Sequence, residues 1–165
     1  MSNWLLIPLL GIIAVLQVTF VPLVNISGFK IDLPLLTVVA WGLLSLPGEA
    51  AVWGFIAGIF LDLFSGLPFG LQTIALTCIG LLMGLAQTTI FRSNVILPPA
   101  AVLFATVAYH VLMLAILSTL GWQIAWSDYL LRVTLPSAVL NMVAFPITYF
   151  PLQRLHRRLR PQVEW

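Results

Sequence analysis

The sequence is a succession of long apolar runs, and its few charged residues lie in short breaks between them. Charged residues make up 7% of the chain, hydrophobic residues make up 61%, and the mean hydropathy is +1.10. A water-soluble domain covers much of its surface with Lys, Glu, Arg and Asp, and this composition cannot supply that cover. The pattern therefore predicts an integral membrane protein in which lipid surrounds most of the outer side chains.

The length of the chain predicts one transmembrane domain. A helix needs about 20 apolar residues to cross the hydrocarbon core, so 165 residues leave room for about six spans and no separate soluble domain. We predict an all-α bundle over residues 1–165, with a basic tail at 153–165 and helices at about residues 4–24, 33–47, 49–64, 69–91, 95–120 and 128–152. The second and third helices are short, so they either span a thinned bilayer or form a re-entrant hairpin.

The placement of Lys and Arg predicts the orientation, because cytoplasmic segments carry an excess of both. The tail holds four arginines, which form a cytoplasmic anchor against anionic head groups: Arg154, Arg157, Arg158 and Arg160. An even number of crossings then places the N-terminus in the cytoplasm as well, with Arg92 inside and only Lys30 and Arg132 outside. Trp41 and Trp53 fall deeper in their runs and are expected to pack between helices.

Asp62 is the first candidate for a functional group. It closes the third helix, next to a Ser-Gly-x-Pro turn. Its carboxylate either accepts hydrogen bonds from backbone N–H groups of that turn, or contacts a partner, a proton or a substrate. Glu49 lies 13 residues earlier, about 20 Å along the same helix, so it cannot pair with Asp62 and instead favours the positive N-terminal end of that helix.

The remaining ionisable groups offer little chemistry. His110 lies inside the fifth run, where it either hydrogen-bonds to a neighbouring helix or relays a proton, and we expect no carboxylate at its depth. Asp128 and Arg132 are four residues apart and predict an ion pair on one helix face. The single cysteine, Cys78, excludes an intramolecular disulfide, and no catalytic triad, phosphate loop or metal-ligand spacing is present. We therefore predict a protein that is not an enzyme and has no metal or cofactor.

Two glycine pairs predict close helix contacts. Gly54 and Gly58 form one ridge on the third helix, and Gly80 and Gly84 form another on the fourth. The two ridges either pack against each other or receive the spanning helix of another protein. In the second case, we expect Gly58→Leu to weaken co-purification with that partner while the bundle still inserts.

The segment that contains the first ridge resembles the signature of a known family. It reads G-x-x-x-G-x-x-x-D-x-x-S-G-x-P-x-G, as does the bacterial rod shape-determining protein MreD family at this place, and Asp32-Leu33-Pro34 resembles the start of that family's second helix. The resemblance covers almost the whole chain. Carried over by position, its motif residues are Gly54, Gly58, Asp62, Ser65, Gly66, Pro68 and Gly70, which we treat as candidates for shaping the outer half of the bundle and a partner interface.

The resemblance implies a function that composition alone does not. MreD proteins are non-enzymatic scaffolds of the elongasome in the bacterial inner membrane. They bind the transmembrane region of MreC, and directly or through it RodA and a penicillin-binding transpeptidase, with MreB as an indirect partner, in lateral peptidoglycan synthesis and rod shape. The family fold is similar to the six-helix S components of energy-coupling-factor transporters.

That similarity leaves a second interpretation open, in which the chain is a vitamin-binding S subunit. An S subunit needs a polar pocket in its outer half, and the available groups are Asn25, Lys30, Asp32, Gln72 and Asp62. Neither interpretation involves nucleic acid.

Overall fold

A computed structural model of the chain describes residues 6–24, 30–45, 47–89 and 97–159, and their regular secondary structure is entirely helical. The predicted all-α class is confirmed. The helices are α1 (Leu6–Thr19), α2 (Leu33–Leu44), α3 (Pro47–Phe64), α4 (Leu71–Thr89), α5 (Leu97–Thr119), α6 (Trp126–Tyr129) and α7 (Leu135–Leu159), with a 3₁₀ turn at Val21–Val24 and a π turn at Leu130–Thr134.

Helix α2 is the centre of the bundle. It contacts α1, α3, α4, α5 and α7, and every residue from 34 to 42 is buried. Burial on all sides explains why this segment is apolar all round, with no polar face. At 12 residues it is about 18 Å long, and it ends three residues before the predicted position. Because other helices surround it, its short length involves no mismatch with lipid.

Helix α3 is longer than the sequence pattern predicts. Pro47 begins it, two residues before the expected start, and its 18 residues extend for about 27 Å. Proline is well suited to a first helical position, because the first turn has no intrahelical partner for the N–H group that proline lacks. Glu49 lies in that first turn, where the helix dipole favours a negative charge, as predicted.

The chain from residue 126 to residue 159 is one continuous helix that contains a π turn. In this turn the backbone N–H of Leu135 donates to the carbonyl of Leu130, five residues earlier. The predicted end at residue 152 is wrong, because the helix continues through Pro151 to Leu159. Membrane helices tolerate internal proline, and His156, Arg157 and Arg158 in the last turn favour the negative end of the helix dipole. The basic tail therefore begins inside this helix.

A tryptophan stack joins α2 to α3. The rings of Trp41 and Trp53 are 4.1 Å apart and nearly parallel, and both side chains are buried. The ring of His156 meets Trp41 edge-on at 5.3 Å, which ties the end of α7 to the same cluster. The prediction that these two tryptophans pack between helices is confirmed.

Large apolar side chains also cover the outside of the bundle. Ile12, Phe104, Val143 and Ile147 are each at least 60% exposed. Two helical stretches among the described residues, Pro98–Thr119 and Trp126–Arg158, are long and apolar enough to cross a membrane, and three shorter helices are also apolar. An apolar exterior of this kind agrees with a membrane environment.

Candidate functional site

Three of the four ridge glycines, Gly54, Gly58 and Gly80, lie in the contact between α3 and α4. An added Cβ at Gly58 would lie 2.7 Å from the backbone nitrogen of Thr73, and one at Gly54 would lie 2.7 Å from the carbonyl carbon of Leu76. From the other side, a Cβ at Gly80 would lie 2.8 Å from the carbonyl carbon of Ala50. These helices therefore approach backbone to backbone. The ridges serve internal packing, the first of the two alternatives considered from the sequence.

The Asp62 carboxylate caps the start of α4. It accepts hydrogen bonds from the backbone N–H groups of Gly70 (2.9 Å), Gln72 (3.0 Å) and Thr73 (3.0 Å), and from the Thr73 hydroxyl (2.6 Å). The first turn of a helix has N–H groups without intrahelical partners, and a buried carboxylate satisfies three of them here. Of the alternatives for Asp62, its bonds to backbone N–H groups are the arrangement observed.

The turn between α3 and α4, residues 65–70, contains the last residues of the family motif and is called the motif turn. Apolar side chains in it and beside it are exposed. Gly70 has a φ of +95°, a conformation that side chains disfavour, and this lets the chain reverse direction into α4. Just before and within the turn, Leu63, Phe64 and Phe69 are 62%, 49% and 70% exposed. The motif therefore builds a rigid turn, fixed by Asp62, that presents apolar groups at one end of the bundle.

A second polar cluster lies where α2 begins. The side-chain amide of Gln17 donates to the Ile31 carbonyl and accepts from the Leu33 N–H, each at 2.9 Å. The Asn141 Oδ1 accepts from the Asp32 N–H at 2.9 Å, and its Nδ2 donates to the Thr106 hydroxyl at 3.2 Å. Side chains from two helices, α1 and α7, therefore hold the backbone of residues 31–33, and Thr106 on α5 supports the amide of Asn141.

The hydrogen bonds of Gln17 and Asn141 to residues 31–33 form a clamp, which places the Asp32 carboxylate beside His110. Asp32 Oδ2 lies 3.8 Å from His110 Nε2, and the side chains are 22% and 9% exposed. The rings of Tyr109 and Tyr129 flank the imidazole, with centroids 5.5 and 5.9 Å away. The expectation that no carboxylate lies at the depth of His110 is wrong. Asp32 precedes α2, and the sequence does not show that this segment reaches α5.

Three residues of this cluster are absent from the sequence-based predictions, although each is a polar residue within an apolar run: Gln17, Thr106 and Asn141. An amide inside an apolar run requires a hydrogen-bond partner from a neighbouring helix. Its presence in the run therefore indicates a polar contact between helices, although not the partner. The partners themselves are distant in sequence: Asn141 lies 109 residues from Asp32. No local pattern connects the two.

Replacement of Gln17 tests whether the clamp stabilises the fold. We expect Gln17→Leu to lower the free energy of unfolding by about 1–2 kcal/mol, because the Ile31 carbonyl and the Leu33 N–H each lose a partner. Thermal unfolding of the purified protein measures the change. Gln123→Leu, at an exposed position after α5, is the matched control and is expected to have little effect. Equal melting temperatures for Gln17→Leu and the wild type would contradict this role.

Asp128, Arg132 and the described arginines at the end of α7 lie apart from both clusters. Asp128 and Arg132 form the predicted i,i+4 pair at 3.7 Å, and both side chains are largely exposed. The arginines at the end of α7 that the structure describes are exposed: Arg154, Arg157 and Arg158. Three other predicted residues lie outside the described residues: Asn25, Arg92 and Arg160.

Two groups named for a polar pocket remain. Lys30 is exposed, and the Oε1 atom of Gln72 lies 3.5 Å from the hydroxyl of Tyr109. Within the described residues there is no group of three or more potential metal ligands.

Comparison with known proteins identifies one family. The family model described as rod shape-determining protein MreD matches residues 1–159 of the 165-residue chain. No curated protein gives a significant match, and neither does any solved structure. The match contains both polar clusters and the glycine contact between α3 and α4.

Proposed function

The chain belongs to the rod shape-determining protein MreD family, and we propose that it acts as a non-enzymatic scaffold of the bacterial elongasome. Membership implies a role in rod shape determination and association with the MreB/MreC system. In our proposal the protein binds MreC in the inner membrane. It thereby helps to position RodA and its penicillin-binding transpeptidase for lateral peptidoglycan synthesis, with MreB as an indirect partner.

The proposed topology has six crossings and both termini in the cytoplasm. The continuous helix over residues 126–159 supplies the last crossing, and its exposed arginines Arg154, Arg157 and Arg158 support a cytoplasmic end. Short α2 fits this topology because it lies among helices and not against lipid. The motif turn then lies on the outer side, at the end of the bundle opposite to these arginines.

The observation that carries the proposed partner surface is the exposed apolar rim of the motif turn. The faces of Gly54, Gly58 and Gly80 are filled by internal contacts, so a partner helix needs another surface. Leu63, Phe64 and Phe69 offer one, on a turn that Asp62 holds rigid. A rigid apolar surface binds a partner at a lower entropic cost than a mobile one. We place MreC against this rim.

Photo-crosslinking from single positions tests this surface. A photoreactive amino acid at Phe69 is expected to crosslink MreC in native membranes. The same amino acid at Ile147 is the matched control, since this α7 residue is equally apolar and 74% exposed. We expect no MreC adduct from position 147. Adducts from both positions, or from 147 alone, would contradict docking at the motif turn.

The polar cluster around Asp32 and His110 supports a second candidate function, the vitamin-binding S subunit of an energy-coupling-factor transporter. Of the groups available for a pocket, Asp62 is occupied with the cap of α4, which weakens this candidate. Affinity purification from native membranes separates the two functions. Recovery of cell-wall synthesis proteins supports the scaffold, whereas recovery of an ATPase module, together with thermal stabilisation by one vitamin, supports the transporter subunit.

A further inference from the structure

We propose that Asp32 and His110 form a binding site for a small molecule that carries a protonated primary amine. The site lies between the segment before α2 and the side of α5, at the end of the bundle where α2 begins. It does not depend on the contact with MreC, since neither residue belongs to the motif turn. The ligand would bind through its ammonium group.

The distance between the two side chains suits a bridging donor. At 3.8 Å, Asp32 Oδ2 and His110 Nε2 are too far apart for a direct hydrogen bond, which for N–H···O extends to about 3.2 Å. A donor placed about 2.9 Å from each atom completes a triangle with them. An ammonium group has three N–H donors, so it can donate to both atoms at once when His110 is neutral and carries its ring proton on Nδ1.

The carboxylate is held in position before any ligand arrives. Asn141 binds the backbone N–H of Asp32, and Gln17 binds the residues on either side of it. These bonds fix the backbone on both sides of the carboxylate, and the Asn141 side chain also hydrogen-bonds to the Asp32 side chain. A site ordered in advance costs less to fill.

The charge balance of the site favours a cationic ligand. The rings that flank His110 belong to Tyr109 and Tyr129, and a tyrosine supplies no positive charge. Lys30, two residues before Asp32, is exposed at the surface, and its charge acts on the Asp32 carboxylate from there. An ammonium group between Asp32 and His110 would compensate the carboxylate where the surrounding helices exclude water. The 22% exposure of the Asp32 side chain leaves a way in.

The chain has only two histidines, His110 and His156, which allows a direct test. Full-length protein labelled with ¹⁵N-histidine is titrated with ethylammonium chloride in lipid nanodiscs, and the ring nitrogens are followed by NMR. We expect a saturable shift of the His110 resonances and none of the His156 resonances. Sodium chloride at equal ionic strength and ethanol at equal concentration control for salt and for the uncharged part of the probe.

Variants separate the site from general effects. Asp32→Asn is expected to weaken the apparent affinity for ethylammonium about tenfold or more, because it removes a charge-assisted hydrogen bond. Asp128→Asn, at an exposed carboxylate on the last helix, is expected to leave it unchanged. Should Asp32→Asn fail to fold, the wild-type titration with its salt and ethanol controls decides the question alone.

Three results would overturn the proposal. The first is a His110 shift that sodium chloride or ethanol reproduces, since a bridging water or a salt effect would then account for it. The second is the lack of a saturable shift. The third is an imidazole at position 110 that is doubly protonated without the probe and becomes neutral in Asp32→Asn, because the two side chains would then satisfy each other.

Discussion

Gly58→Ala is expected to destabilise the bundle by about 3 kcal/mol or more, although it adds a single methyl group. The new Cβ would lie 2.7 Å from the backbone nitrogen of Thr73, closer than real Cβ contacts come. The atoms in its way are backbone, so no side chain can rotate to make room, and α3 must move away from α4. Chemical denaturation in mixed micelles, followed by tryptophan fluorescence, measures the loss.

Gly48→Ala is the matched control for this substitution. Gly48 lies on the same helix, in its first turn, and an added Cβ there meets no atom within 4 Å. Helix propensity alone then predicts equal or slightly higher stability, by up to about 1 kcal/mol. Similar stabilities for Gly58→Ala and Gly48→Ala would show that α3 and α4 are not in backbone contact.

This geometry changes what is expected of a larger side chain at the same position. If the ridge received the spanning helix of a partner, Gly58→Leu would weaken partner binding while the bundle still inserts. With α4 filling the face of Gly58, the substitution is expected to disrupt the α3–α4 pair itself. Loss of MreC from a Gly58→Leu preparation would then report a damaged bundle, and the exposed Phe69 is the better position for testing the interface.

The α3–α4 pair shows what the spacing of residues along one helix can and cannot predict. The interval of four between Gly54 and Gly58, and between Gly80 and Gly84, predicts a ridge on each helix. Spacing along one helix says nothing about the helix opposite, so internal packing and partner docking were equally compatible with it. The role of Asp62 was easier to foresee, because its bonding partners lie within 11 residues, in the adjoining turn and the helix that follows.

The second polar cluster could not be predicted from the sequence. Asp32 lies in a polar turn, and His110 and Asn141 are isolated in apolar runs more than 70 residues away. Their meeting depends on α2 taking the central place in the bundle, and hydrophobicity alone does not rank six similar helices by position. The end of the last helix was missed for a different reason. Proline stops most water-soluble helices, but Pro146 and Pro151 are accommodated within this one.

Asp62→Ala is expected to lower the free energy of unfolding by about 3–5 kcal/mol. The substitution removes the acceptor of four hydrogen bonds and leaves three backbone N–H groups without their partner at the start of α4. Asp62 is 4% exposed, so water cannot readily replace the carboxylate. Asp62→Asn keeps one acceptor oxygen and is expected to lose about half as much. Thermal unfolding of the three proteins gives this order.

Asp128→Ala is the matched control, because it removes a carboxylate whose ion pair with Arg132 is exposed, and such pairs contribute at most about 1 kcal/mol. If Asp62 acts only through the turn, Asp62→Ala should also reduce crosslinking from Phe69, whose position depends on that turn. A variant that keeps wild-type stability but no longer crosslinks MreC would contradict the capping role. It would assign the Asp62 carboxylate to the partner instead. Loss of both together, with Asp62→Asn intermediate in each, is the outcome that the hydrogen bonds to α4 predict.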